Sequence, residues 1–568
     1  QLKTWVTTRP RREVTRTWYD EPLPGLGTVL TYPQQNLRLR VASTTFQEVH
    51  DEDPLVYAHA THYSYDIHGN VASLIQDHPQ MDADAGAPGH RFKKMFYTYD
   101  LISGNVKEVW YQHRKPDAMY HRYTYDADNR LIEAETSTDR WTWYTDAEYF
   151  YYPHGPLERV ELGENKVQGI DYAYTLQGWL KAMNSDRLVP SNDMGRDGLA
   201  GTVNEETARD AFGESIGYYG EQDYAAIDED RWSNATGTRP VAPIGTTGSL
   251  SAGYHKLYNG NIAHTVNTLS PFPLGSSTQA WTTNTEQGQV LAQVYQYDQL
   301  NRLRESKGVQ GMGATNTWNG VIDATNRYQS VYEYDANGNI TSATRRNDQG
   351  AVFDDFTYKY NKSESTTTPG TADKLVRNRL YQLFDDAPGA AGPDIVNTPT
   401  APFVEFDANI NSTANYRYDQ LGNLIHDTRE QIENIEWTVA GKVKSIARTT
   451  GSTREPLNFG YGASGQRIMK QVADPDDALE PGGYREHYIR DAQGNIMATY
   501  KYTNPVGAGI SLRLTDRPIY GSSRLGNYVR GAEMYGEDLL APLTTLPTGP
   551  TAPMHPAQTH YELTDHLG

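Results

Sequence analysis

The 568-residue chain contains no cysteine. That excludes disulfides, thiolate-metal frameworks and a cysteine nucleophile, and it leaves the redox compartment open. No run of 18 apolar residues occurs, so no helical membrane span is expected, and Gln1-Leu2-Lys3-Thr4 does not begin a signal peptide. A first residue other than Met suggests a fragment. Phenylalanine is scarce, at 12 residues, and hydrophobic residues make up only 37%. Basic residues are outnumbered 51 to 71, for a formal net charge of -20, and they form no basic stripe. A partner carrying a phosphate backbone is therefore not expected. Patterns for catalysis are missing too. There is no H-E-x-x-H and no G-x-S-x-G elbow, since Gly462-Ala463-Ser464-Gly465 is one residue short of it. Gly308, Gly311 and Gly313 are not followed by a helical pattern that would cradle a phosphate. No enzyme activity and no cofactor are expected in this segment.

What the chain has is tyrosine, 41 residues of it, in a recurrent setting. The sequence YEYDANGNI spans residues 332 to 340. Tyr332 and Tyr334 are two apart, so on a strand both rings fall on one face. Asp335 suits the first position of a type I turn, Gly338 falls where the chain needs positive φ, Asn339 tolerates the left-handed region, and Ile340 restarts a strand. The pattern predicts strand, turn, strand. It recurs with Tyr63, Tyr65, Asp66, Gly69 and Asn70; with Tyr97, Tyr99, Asp100, Gly104 and Asn105; and with Tyr123, Tyr125 and Asp126. Further copies carry Tyr295, Tyr297 and Asp298, and Tyr416, Tyr418, Asp419, Gly422 and Asn423, with a weaker one from Ile489. The first three turn aspartates are separated by 34 and 26 residues, and Asp298 and Asp335 by 37. A period in this range with variable spacing means one hairpin per unit, with the slack taken up in connecting loops. Tyrosine suits a thin wall, its ring packing while its hydroxyl stays hydrated.

At these residues the chain resembles the RHS or YD-repeat family, named for the tyrosine-aspartate pair. The resemblance runs from about Tyr57 to Gly568 and includes the closing YELTDHLG, with Asp565, His566 and Gly568. It implies an all-β fold in which YD-repeat hairpins wind as a spiral into a hollow shell, or cocoon. It further implies a container for a secreted bacterial polymorphic toxin, related to the cocoon subunits of insecticidal toxin complexes and to teneurins. The partners so implied are the protein's own C-terminal toxin domain, lying beyond this segment, and secretion-system or plug proteins. The family's aspartyl autoprotease motif would lie past Gly568, and no catalytic residue is carried over. A cell-surface adhesion or scaffold module of teneurin type is the alternative, and either reading places the chain outside the cell or on its surface. The acidity reads as solubility, or as an acidic lumen favouring a cationic cargo.

Residues 1–56 read as a rim segment without a full repeat, 57–181 as repeat shell, 182–253 as an insertion and 254–568 as shell again. Within the insertion, Asn204-Glu205-Glu206 followed by 207–212 and Gly213 predicts a short capped helix. About 30 residues per hairpin gives roughly 38 strands, a ribbon of about 180 Å at ~4.8 Å spacing. That would encircle a cavity once and leave its ends open, so a longer gene or separate plugs are expected.

Metal ligation is weakly indicated. The Asp335-to-Asn339 spacing imitates the first half of an EF-hand, but Ile340 takes the obligatory glycine position and Arg346 the place of the bidentate glutamate. His560, Asp565 and His566 form a compact group with no third histidine at suitable spacing.

Overall fold

Nearly every described element is a strand, and most strands pair antiparallel with the strand before and the strand after them. The computed structural model describes residues 11–86, 88–186, 188, 193–219, 241, 257–270, 289–312, 318–322, 325–387, 404–407, 410–474, 476, 482–504, 509–528 and 559–563. Asp565, His566 and Gly568 lie outside the described residues, as do most of the residues from 220 to the end of the expected insertion at 253. The chain divides into two units, Gln1–Glu148 with Gln431–Glu562, and Tyr149–Glu430 with Leu563–Gly568.

In the first unit, Arg12–Tyr19 pairs with Val41–Val49, which pairs in turn with His59–Tyr65. The stretch expected to be a rim therefore supplies two strands of the same sheet. The ladder continues through Val71–Asp77, Phe92–Tyr99, Val106–Tyr111, Met119–Tyr125 and Leu131–Ser137. The later part of this unit repeats the scheme from Ile432–Trp437 to Arg524–Tyr528. In the second unit the ladder runs from Leu157–Leu162 through Phe212–Gly217 and Gln289–Tyr297 to the long pair Val352–Glu364 and Ala372–Asp385.

Period-two alternation decides which side chains are covered, and the covered face is not uniformly apolar. Along Phe92–Tyr99 the buried residues are Lys93, Met95 and Tyr97, and along Tyr484–Arg490 they are Arg485, His487 and Ile489. Apolar packing comes in small clusters, such as Ala263, Val266, Ala292, Val294 and Val309 in the second unit. Leu23, Leu26, Leu30, Tyr57, Ala60 and Ile75 form another in the first.

Polar contacts join the two stretches of the first unit. Asp84, on the helix Pro79–Ala85, pairs with Arg485 and accepts from His487 Nε2 at 2.6 Å. Gln76 exchanges two bonds with the backbone of Arg490, at 2.8 and 3.2 Å. The fully buried Arg517 donates to the Ala118 carbonyl at 2.8 Å.

The short helix expected over 207–212 is not formed. Residues 201–207 are turns and a strand begins at Phe212. Asn204, expected as the cap, donates its side-chain amide to the Gly195 carbonyl, and the Ala208 N–H donates to Lys166 O. Tertiary bonds thus claim the cap residue and the backbone that a helix would have used.

Candidate functional site

The repeat begins with the turn. In a three-residue hairpin loop, a type I turn followed by a residue at positive φ forces one extra residue into one strand, a G1 bulge. Asp66 N donates to Asn70 O and Gly69 N to Asp66 O, Gly69 has φ 100°, and the strand register shifts between Ser64 and Tyr65. Asp335 with Asn339 and Gly338, Asp419 with Asn423 and Gly422, and Asp491 with Asn495 and Gly494 repeat the arrangement. Asn129 and Asn301 take the glycine's place at φ 63° and 61°. In the Asp100 turn, one residue longer, Gly104 has φ 76°.

The aspartate is the hub. Asp66 Oδ1 accepts from His68, Gly69 and Asn70 N–H at 2.7 to 2.9 Å, and Oδ2 accepts from the Asn70 side-chain amide at 2.9 Å. Asp335 Oδ1 accepts from Asn337 and Asn339 N–H, and Oδ2 from Asn339 Nδ2. Turn donors thus fill the carboxylate that an EF-hand would offer to calcium. At Asp126 and Asp298 an arginine four residues on, Arg130 or Arg302, replaces the asparagine amide. Slight burial opposes ionisation of Asp66 and Asp335, but these bonds outweigh it and hold both carboxyls below the ordinary range.

The two tyrosines of a copy share a face. Tyr63 and Tyr65 stack with centroids 6.4 Å apart, and Tyr97 and Tyr99 do the same. Their hydroxyls have different roles. The second tyrosine donates to the backbone carbonyl of the strand that begins just past the preceding turn: Tyr99 to Val71, Tyr125 to Val106, Tyr334 to Leu303, Tyr360 to Ile340 and Tyr520 to Ile496. Tyr65 donates to Val41, Tyr218 to Leu180, Tyr297 to Ile262 and Tyr461 to Val443 in the same way, and Tyr418 donates to Leu380, inside the strand Ala372–Asp385. These bonds measure 2.6 to 3.0 Å. The expectation that the hydroxyls stay hydrated is therefore corrected at these positions: each one staples a hairpin to its predecessor. Burial pushes the phenols of Tyr65, Tyr125, Tyr297, Tyr334 and Tyr520 up, and those of Tyr99, Tyr360 and Tyr418 to about 12.

The first tyrosines are packing residues. Tyr332 and Tyr416 lie against Ala343, Phe356 and Leu383, Tyr295 bonds the Thr265 hydroxyl at 2.8 Å, and the Tyr97 hydroxyl accepts from Ala492 N–H at 3.0 Å. Tyr123 is half-buried. An arginine completes several staples: Arg40 over Tyr65, Arg302 over Tyr334 and Arg379 over Tyr418, at 5.4, 4.6 and 5.6 Å from the ring centroid. Asparagine amides also tie the Asp100 turn to the next one, from Asn105 to Asn129, and the Asp335 turn to the strand Ala372–Asp385, from Asn337 and Asn339 to Asn378.

The second unit holds an acidic cluster the sequence did not reveal. Asp171, Asp193 and Asp197 are buried and bring carboxylate oxygens within 4.8 Å of one another, the spacing of a metal site. Two of the three share a guanidinium: Arg159 donates to Asp171 at 2.5 Å and to Asp197 at 2.7 Å, and also to Glu161 at 3.0 Å, while Asp193 accepts from the Asp197 N–H at 2.8 Å. Burial pushes Asp171 well up and Asp197 to about 7, Arg159 opposing in both.

These turns, staples and ladders define an all-β repeat protein built of tyrosine-aspartate hairpins, and no family model matches the chain. The fold is similar to that in the crystal structure of TcdB2-TccC3-Cdc42, with a TM-score of 0.51 and 13% identity, over 92% of this chain and 20% of that one. The chain thus spans about a fifth of that solved chain. The structure of the Photorhabdus luminescens Tc holotoxin pore aligns with 91% of this chain over 22% of its own, at 11% identity and a TM-score of 0.44. Salivary gland surface protein 1 of Aedes aegypti is 29% identical over 121 residues, 21% of this chain and 3% of that protein. Among the described residues no helix is long and apolar enough to cross a membrane.

Proposed function

We propose that this chain is wall material of an RHS-repeat container, secreted by a bacterium, that encloses a toxin domain encoded C-terminal to it. Its work is steric, without catalysis in this segment. The observation that carries the reading is the staple. Ten tyrosine hydroxyls among the described residues hold a hairpin to the previous one through a backbone carbonyl, so a sheet can extend hairpin by hairpin without a deep apolar core. The fold likeness to TcdB2-TccC3-Cdc42 supports the same class of wall.

Limited proteolysis of the complete gene product tests this. The segment following Gly568 is expected to resist protease while the hairpins are folded and to be digested once denaturant opens them. Equal digestion of that segment in the whole product and as an isolated piece would overturn the reading. The match to a salivary gland surface protein favours a second reading, a surface scaffold. A gene with no toxin domain beyond Gly568, and a surface anchor in its place, would select it.

A further inference from the structure

In the first unit a lysine and an aspartate meet where neither has any exposed surface. Lys93 Nζ lies 2.8 Å from Asp117 Oδ2, and both side chains are fully buried. The ammonium sits 4.0 Å from the centroid of the Tyr500 ring. The Tyr500 hydroxyl donates to Asp117 Oδ2 at 2.5 Å and bonds the Tyr111 hydroxyl at 2.7 Å, both tyrosines being fully buried. Gln112 Nε2 reaches the same oxygen at 3.4 Å, whereas Asp117 Oδ1 has no hydrogen-bond partner. Three donors crowd one carboxylate oxygen and leave the other bare.

We propose that Lys93 and Asp117 become joined by an amide bond, formed inside the folded chain without cofactor or helper enzyme. One proton passes from Nζ to Oδ2 along their hydrogen bond, leaving a neutral amine beside a carboxylic acid. The nitrogen lone pair adds to Cγ and a second Nζ proton moves to Oδ2. The Cγ–Oδ2 bond then breaks, its electron pair leaving on oxygen, and one water departs. An ammonium and a carboxylate become a secondary amide and water, with nothing oxidised or reduced. The Tyr500 hydroxyl bonds the oxygen that leaves, and Oδ1 becomes the amide oxygen.

Burial supplies the direction. In water the separated ions are favoured because both are hydrated; here neither is, and the reaction removes both charges while releasing water to the solvent. The product would tie the strand Phe92–Tyr99 to the segment entering Met119–Tyr125, in a chain that has no disulfides.

Mass spectrometry of the purified 568-residue chain under denaturing conditions is the test. The expected mass is one water below that of the sequence. Trypsin should release fragment 115–122 attached through Asp117 to Lys93, with no cleavage after Lys93. Both signatures should vanish in Lys93→Arg and in Asp117→Ala. Because the wild-type chain is read directly, poor folding of either variant leaves the test intact. A free 115–122 fragment as the main wild-type species overturns the proposal, and so does a lost water without the branched fragment.

Discussion

The Tyr334 hydroxyl donates to the Leu303 carbonyl at 2.7 Å, across the boundary between one hairpin and the one before it. Tyr334→Phe removes this bond and leaves the ring beneath Arg302. A loss of about 1 kcal/mol is expected, the usual net worth of one hydrogen bond. Urea denaturation would show it as a lowered midpoint with unchanged slope. An unaltered midpoint would mean that water replaces the tyrosine equally well.

The turn glycines should not be equally sensitive. A Cβ at Gly338 meets nothing closer than 3.9 Å, so Gly338→Ala carries backbone strain alone, about 1–2 kcal/mol. At Gly422 a Cβ would come within 2.7 Å of Arg379 Nη2, the guanidinium stacked on Tyr418. Gly422→Ala should therefore be nicked by protease faster than Gly338→Ala. The reverse order would show that φ alone governs these turns.

Stability should fall at both ends of the pH scale, for opposite reasons. Asp66 and Asp335 titrate below their ordinary 3.8, so what they contribute is present above that value and is lost as pH falls through their lowered values. Tyr99, Tyr360 and Tyr418 are raised from 10.0 to about 12, so their contribution is complete below 10 and is lost as pH rises through 12. Phenolate absorbance followed alongside circular dichroism should show late-titrating tyrosines ionising together with loss of strand signal. Ionisation of all tyrosines near 10, with the fold intact, would contradict the staples.

Asp84 anchors Arg485 and His487 from the other stretch of its unit. Asp84→Ala leaves Arg485 with Gln471 at 2.9 Å and Asp476 at 3.4 Å and takes the acceptor from His487, and it should cost about 1.5–3 kcal/mol, the worth of a hydrogen bond to a charged group. A chemical denaturation curve of the variant checks this, and a loss under 1 kcal/mol would show that the arginine finds water instead.

The local grammar was readable in the sequence because it is local. Tyrosines two apart share a face, and aspartate with glycine or asparagine encodes the bulged turn. The staple acceptors were invisible, since a backbone carbonyl 18 to 38 residues away leaves no mark on residue type. The pairing of Asp84 with Arg485, 401 residues apart, was equally hidden. The misread helix shows the converse. Asn204 and its neighbours have cap chemistry, but Gly195 and Lys166 claim those groups. A helix does occur at Pro79–Ala85, with proline at its start and Gly86 in the left-handed region at its end. Both signs stand in the sequence, concealed by the tyrosine repeats on either side.

Because a staple joins only neighbouring hairpins, with the phenol on one and the carbonyl on the other, a whole hairpin can be deleted or duplicated and its neighbours can still rejoin. Such a chain can change its number of copies over evolutionary time while the chemistry at each seam stays the same, and the 26-residue and 37-residue spacings show that the loops between copies vary as well.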